Sequence, residues 1–147
     1  MDGEIAITEL TDPTLEDLAG MNRLIPQLSR SAAPLHLAML KEICADPDVE
    51  LYLARHQGRI VGSLTLLVFQ IPTGTRAIIE DVVVDQELRG KDIGGSLVRH
   101  GLGRAQLRGA RTVDLTSRPD RVVANRLYLK LGFVARNTNV YRFAIDN

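Results

Sequence analysis

The chain has 147 residues, the size of one ordinary domain (1–147), and its 45% hydrophobic content is enough to fill a core. Its 18 basic and 18 acidic side chains cancel, which argues against nucleic acid as the main partner, because phosphate backbones select for a basic excess. No stretch approaches the ~20 apolar residues of a membrane helix, and the lone cysteine, Cys44, excludes an internal disulfide.

Ile5 and Ile7 alternate within residues 4–10 and predict a first strand. Thr14 and Asp17 stand at capping-box spacing and open a helix. Leu15, Leu18, Asn22, Ile25 and Leu28 then recur at helical intervals, with Asn22 the one polar member, and Pro26 is expected to kink or end the helix. A second helix is expected from Pro34 through Leu37, Leu40 and Ile43 until Asp46-Pro47 stops it, with Cys44 a small core residue. Residues 49–54 read as a strand, Gln57-Gly58-Arg59 as a tight turn, and residues 60–71 as a strand buried on both faces. Pro72-Thr73-Gly74 breaks it, and residues 77–84 form the next strand. Connections this short make the region antiparallel.

Beyond Val84 a polar loop leads into a helix through Leu97, Val98, Leu102, Ala105 and Leu107, which Gly109 stops. A strand at 112–116, a helix at 119–131 and a closing strand pair at 133–135 and 140–145 complete the order β-α-α-β-β-β-α-β-α-β-β. Residues 1–4 lack the basic start and apolar run of a secretory leader, so the chain reads as cytoplasmic. His36, His56 and His100 are scattered, and no metal site is expected.

The segment with chemical content is Arg89-Gly90-Lys91-Asp92-Ile93-Gly94-Gly95, which follows a strand and opens a helix. Such a loop turns several backbone N–H groups to one point at the positive end of the helix dipole, a natural pyrophosphate cradle. Glycines let the phosphates approach, and Arg89 and Lys91 add charge. Neither a Walker loop nor a Gly-x-Gly-x-x-Gly fingerprint is present.

Here the sequence resembles the GNAT superfamily of acetyl-CoA-dependent N-acetyltransferases. The family motif is Gln or Arg, two residues, Gly, one residue, then Gly or Ala, and Arg89, Asp92 and Gly94 occupy those places. Asp92 stands where the family has glycine. Asp tolerates left-handed backbone, and its carboxylate is expected to point away from the pyrophosphate. Downstream, Leu127-Tyr128 followed by Gly132-Phe133 resembles the family's closing helix, with Arg121 where many members have Asn.

The resemblance implies one α/β domain with a mixed, mostly antiparallel twisted sheet flanked by helices. It implies acetyl transfer from acetyl-CoA, as co-substrate, to a primary amine, with no metal. Tyr128 would be the general acid. Val82, Val83 and Val84 would hold the acetyl-pantetheine arm where the strand parts from residues 115–117. Arg89, Gly90, Lys91, Asp92, Ile93, Gly94, Gly95 and Ser96 would hold the pyrophosphate. Glu80 is the chosen base, through water, with Asp81 the other candidate; alternation sends the two to opposite faces unless a bulge intervenes. Arg104 and Arg108 share a helix face and either meet the 3′-phosphate or are merely solvated. The family also leaves room for a homodimer. Two other readings are a CoA-binding regulatory module without turnover and an acetyltransferase for protein amines.

Overall fold

The fold is described from a computed structural model covering residues 3–145, and the chain divides into two compact units, Met1–Thr116 and Ser117–Asn147. Met1 and Asp2, on which the leader reading partly rests, lie outside the described residues.

In the first unit, strand β1 (Ile5–Glu9) is followed by helices α1 (Leu15–Leu28) and α2 (Leu37–Ala45). Strands β2 (Val49–His56), β3 (Arg59–Ile71) and β4 (Gly74–Val84) come next, then a short 3₁₀ turn at Gln86–Leu88, helix α3 (Ile93–Leu107) and strand β5 (Thr112–Asp114). The five strands form one sheet in sequence order. The first three pairings are antiparallel, as connections too short for a crossover require, and β4–β5 is parallel because α3 supplies the crossover.

Period-two alternation assigns the two faces. Leu51 and Leu53 of β2 join Leu10, Met21, Leu24, Leu40, Ile60 and Val83 in a core beneath α1 and α2. The intervening Glu50 and Tyr52 contact Arg104 and His100 of α3. Helices therefore cover both faces, which is why β3 is apolar almost throughout.

Helix α1 begins where the Thr14–Asp17 capping box places it, with both reciprocal bonds formed. Its most buried residues are Asp17, Gly20, Met21 and Leu24; Leu18, Ile25 and Leu28 of the expected stripe are half-buried against the same core, and Leu15 is exposed. Pro26 does not end the helix, which runs on to Leu28. Asn22, the polar member of the stripe, bonds both main-chain groups of Leu35 at 2.8 and 3.0 Å and so ties the loop before α2 to α1.

The second unit holds helix α4 (Val122–Lys130). The expected strand pair at 133–135 and 140–145 does not form; residues 133–145 have no regular secondary structure. A strand exists through its partner, and an isolated hairpin is marginal in water. Val134, Val140, Tyr141, Phe143 and Ile145 are all exposed, so neither segment has the buried face that would hold it.

Candidate active site

A bulge shapes β4. Ser63 pairs with Val83 and Thr65 with Glu80, so Asp81 and Val82 together oppose Leu64 alone. Asp81 takes φ 52° at this point, left-handed geometry that a short polar side chain tolerates. The extra residue interrupts the alternation. Glu80 shares the register of Thr65 and, one strand on, of Leu51. It therefore lies on the α1–α2 face, and its side chain and that of Asp81 are both exposed.

The opposite edge of β4 opens in the same place. Strand β5 pairs only with Arg76, Ala77 and Ile78. Among the described residues, Ile79 through Val84 have no partner on that side. Main-chain groups left open along an edge can take up an extended ligand by adding its hydrogen bonds to the sheet.

Three hydrogen bonds fix the passage from β4 to the loop. The buried Asp85 donates its N–H to Val61 O at 2.8 Å and accepts from Glu87 N at 3.1 Å. Gln86 N donates to Gln27 Oε1 of α1 at 2.9 Å. The loop then turns through Gly90 at φ 88°, a geometry that favours glycine. Asp92 follows as the N-cap of α3, also left-handed at φ 58° and ψ 27°. An N-cap residue is usually extended, which aims its side chain back at the N–H groups of the first turn. Asp92 is not, and its side chain makes no capping bond. Ile93, Gly94 and Gly95 thus form a first turn that Asp92 leaves uncapped, at the positive end of a 15-residue helix.

The Asp92 carboxylate accepts from none of these first-turn N–H groups. It pairs with the Arg99 guanidinium and lies against Gly95, where an added Cβ would collide with Asp92 Oδ1. The left-handed backbone explains both facts, since it carries the carboxylate past the capping position toward the second turn. Arg89, Gly90, Lys91 and Asp92 are exposed, Gly94 and Ser96 half-buried, and Ile93 and Gly95 buried.

Arg104 and Arg108 are not merely solvated, because both pair with a buried carboxylate. Arg104 Nε lies 3.0 Å and Arg108 Nη1 2.9 Å from the Glu50 carboxylate, which also accepts from Tyr52 Oη. Burial alone would raise the Glu50 carboxyl, but the bonds from Arg104 and Tyr52 hold it below the ordinary carboxylate value. Tyr52 sits edge-on to His100 at 4.5 Å. One signal of this network was readable: a charged residue at a period-two core position of a buried strand needs a partner.

In the second unit, Tyr128 is 7% exposed and meets Phe133 edge-on at 5.8 Å. Phe133 N donates to Tyr128 O at 3.0 Å, closing the end of α4. Burial raises the Tyr128 phenol above its usual value of 10.0, while the charge of Arg121 pulls the other way. Asn125 Nδ2 donates to Arg118 O at 3.0 Å, which fixes the approach to α4. Among the described residues no group of three or more His, Cys, Asp and Glu could hold a metal ion, and no helix is long and apolar enough to cross a membrane.

The acetyltransferase (GNAT) family model matches residues 15–133. A transcriptional regulator from Bacillus halodurans is 30% identical, with a TM-score of 0.80, over 96% of this chain and 100% of that one. An acetyltransferase from Trypanosoma brucei is 28% identical, with a TM-score of 0.80, over 96% and 100%. The aminoglycoside N-acetyltransferase AAC(6')-Iy in complex with CoA shares the fold at a TM-score of 0.82 and 15% identity, over 98% and 97%. No curated protein sequence matches the chain.

Proposed function

The chain belongs to the GNAT acetyltransferase family, and from that premise we propose that it transfers the acetyl group of acetyl-CoA to a primary amine of a small-molecule acceptor by direct attack. The observation that supports this most is the continuity of β4 with the loop. An open strand edge, Ile79 to Val84, leads within a few residues into left-handed turns and a first helical turn that Asp92 leaves uncapped. That sequence of features suits a ligand with an amide-bearing arm at one end and a pyrophosphate at the other.

Acetyl-CoA brings an acyl group already activated as a thioester; the chain's own residues do the rest. Val82, Val83 and Val84 hold the arm by their main chain, and Arg89 through Ser96 hold the pyrophosphate. A main-chain N–H on the open edge polarises the thioester carbonyl. An alkyl amine, with a pKa of ~10.4, is mostly protonated at neutral pH, so Glu80, through water, takes the proton that frees its lone pair. The amine nitrogen then bonds to the carbonyl carbon and the carbon–sulfur bond breaks. The Tyr128 phenol protonates the departing thiolate and regains a proton from the nitrogen as the amide forms, and its raised pKa keeps that proton in place at neutral pH. We place the protein in the cytoplasm, with a homodimer as a further expectation.

The test is release of free CoA thiol from acetyl-CoA across a panel of primary amines. Amino sugars belong in the panel because the solved relative bound to CoA acts on aminoglycosides. Turnover with one class of amine, lost in Tyr128→Phe with acetyl-CoA binding intact, supports the assignment. A second reading has its own support: the relative 30% identical over nearly all of this chain is a transcriptional regulator. On that reading the protein binds CoA and regulates without turnover, and acetyl-CoA binding with no thiol release across the panel would favour it.

A further inference from the structure

We propose that Gln27 is a positioning residue for the cofactor loop. Its side-chain oxygen, carried on α1, fixes the direction in which the chain leaves β4 and so pre-aligns Arg89 to Ser96 for the pyrophosphate. The inference rests on the acetyl-CoA reading above and adds to it a residue from a helix distant in sequence from the loop.

A closed circuit of contacts carries it. Strand β3 supplies two consecutive carbonyls: Val61 O accepts from Asp85 N at 2.8 Å, and Ile60 O accepts from the Arg23 guanidinium of α1. One helical turn on, Gln27 lies on the same face of α1 as Arg23, and its Oε1 accepts from Gln86 N at 2.9 Å. The circuit thus runs from β3 to α1 and returns through the first two residues after β4. Its helix side is firmly seated. Leu24 is fully buried, and a Cβ on Gly20 would lie 2.7 Å from Ile60 Cδ1, so α1 rests directly on β3 there. Gln27 itself belongs to the last turn of α1, which the bond from Ser29 N to Ile25 O closes.

The 3₁₀ turn at Gln86–Leu88 needs such an outside hold. Two of its bonds, Glu87 N to Asp85 Oδ1 and Leu88 N to Asp85 O at 2.9 Å, fold it on itself. Asp85 N attaches its base to β3, and a turn attached at one point can swing about that point. Gln86 and Glu87 are exposed, so packing does not supply the missing constraint. Gln27 supplies it, as a second attachment that lies off the sheet. Ordering a loop on binding costs affinity, and a loop ordered beforehand binds its ligand more tightly. Gln27 therefore acts on the cofactor through the loop, by lowering the disorder of the free state.

The experiment is calorimetric titration of acetyl-CoA into the wild type, Gln27→Met and Gln27→Glu, with amide hydrogen exchange measured on the free forms. Met and Glu keep the length and the helix preference of Gln. Glu retains an acceptor oxygen at the same reach, whereas the Met sulfur is a weak acceptor. Gln27→Met is expected to bind about fivefold more weakly than wild type, a loss of ~1 kcal/mol. Its amides over residues 86–96 should exchange faster than in the wild type, with those of β2 and β3 unchanged. Gln27→Glu should bind within about twofold of the wild type, since an exposed charge adds little. Wild-type affinity in Gln27→Met overturns the proposal and leaves the cofactor reading standing. Equal weakening in Gln27→Glu also overturns it, because the acceptor oxygen is then not what matters. A weaker Gln27→Met whose exchange rises across the whole sheet reports a merely structural role and overturns it as well. No binding by any form at millimolar ligand overturns the cofactor reading, and the proposal with it.

Discussion

Replacing Glu50 by Gln tests whether the β2–α3 network is held by charge. The Glu50 side chain is 7% exposed and takes donors from three residues: Tyr52 Oη, Arg104 Nε and Nη2 at 3.0 and 3.4 Å, and Arg108 Nη1 at 2.9 Å. Gln preserves the shape but removes the charge and turns one acceptor into an NH₂ that faces donors. Breaking a fully buried pair costs roughly 3–5 kcal/mol. Arg104 and Arg108 are 37% and 25% exposed and recover water, so the cost falls to about 2 kcal/mol. For a chain of this length that lowers the melting midpoint by roughly 4–8 °C.

The pH dependence has a definite sign. Glu50 titrates below its unfolded value of 4.5 in the folded chain, so its stabilisation is fully present above 4.5 and is lost as pH falls through the lowered value. Urea unfolding followed by circular dichroism at steps from pH 7 to pH 3 should show the gap between wild type and Glu50→Gln closing below pH 4.5. A gap under about 0.5 kcal/mol at pH 7, the range of an ordinary surface substitution, or one unchanged down to pH 3, would refute the reasoning.

Other substitutions read other parts of the structure. Leu64 is fully buried opposite the bulge in β4, and Leu64→Ala should cost about 3 kcal/mol in urea unfolding. Asn22→Ala leaves both main-chain groups of Leu35 without their side-chain partner. A loss of about 1–2 kcal/mol is expected, and a change near zero would mean that the loop before α2 is not held by this residue. Tyr128→Phe should lower kcat at least about a hundredfold with acetyl-CoA affinity unchanged. Since the phenol is raised above 10.0, the wild-type rate should show no loss from its ionisation below pH 10.

The features legible in the sequence were those with local causes. Thr14 and Asp17 announced α1 because a capping box acts within one turn, and the short connections between β2, β3 and β4 dictated antiparallel pairing. That the loop from Arg89 to Gly95 follows a strand and opens a helix was readable for the same reason; that Asp92 leaves this helix uncapped was not. Features that depend on partners distant in sequence were not. The ion pairs of Arg104 and Arg108 with Glu50 span more than fifty positions, and no helical spacing encodes them. The exposure of Leu15, while Leu18, Ile25 and Leu28 pack against the core, follows from what the sheet offers to cover. The strand pair expected at 133–135 and 140–145 did not form, because a local pattern does not record whether a partner exists. At Asp81 the bulge was foreseeable only as a condition on which carboxylate could face the acetyl group.

The most direct test of the central claim is a titration of the wild type and Asp92→Gly with acetyl-CoA, read by calorimetry and by melting midpoint. Saturable one-to-one binding, with a midpoint that keeps climbing as ligand exceeds the dissociation constant, is the predicted result. A flat calorimetric trace and an unmoved midpoint at millimolar acetyl-CoA in both forms would contradict it.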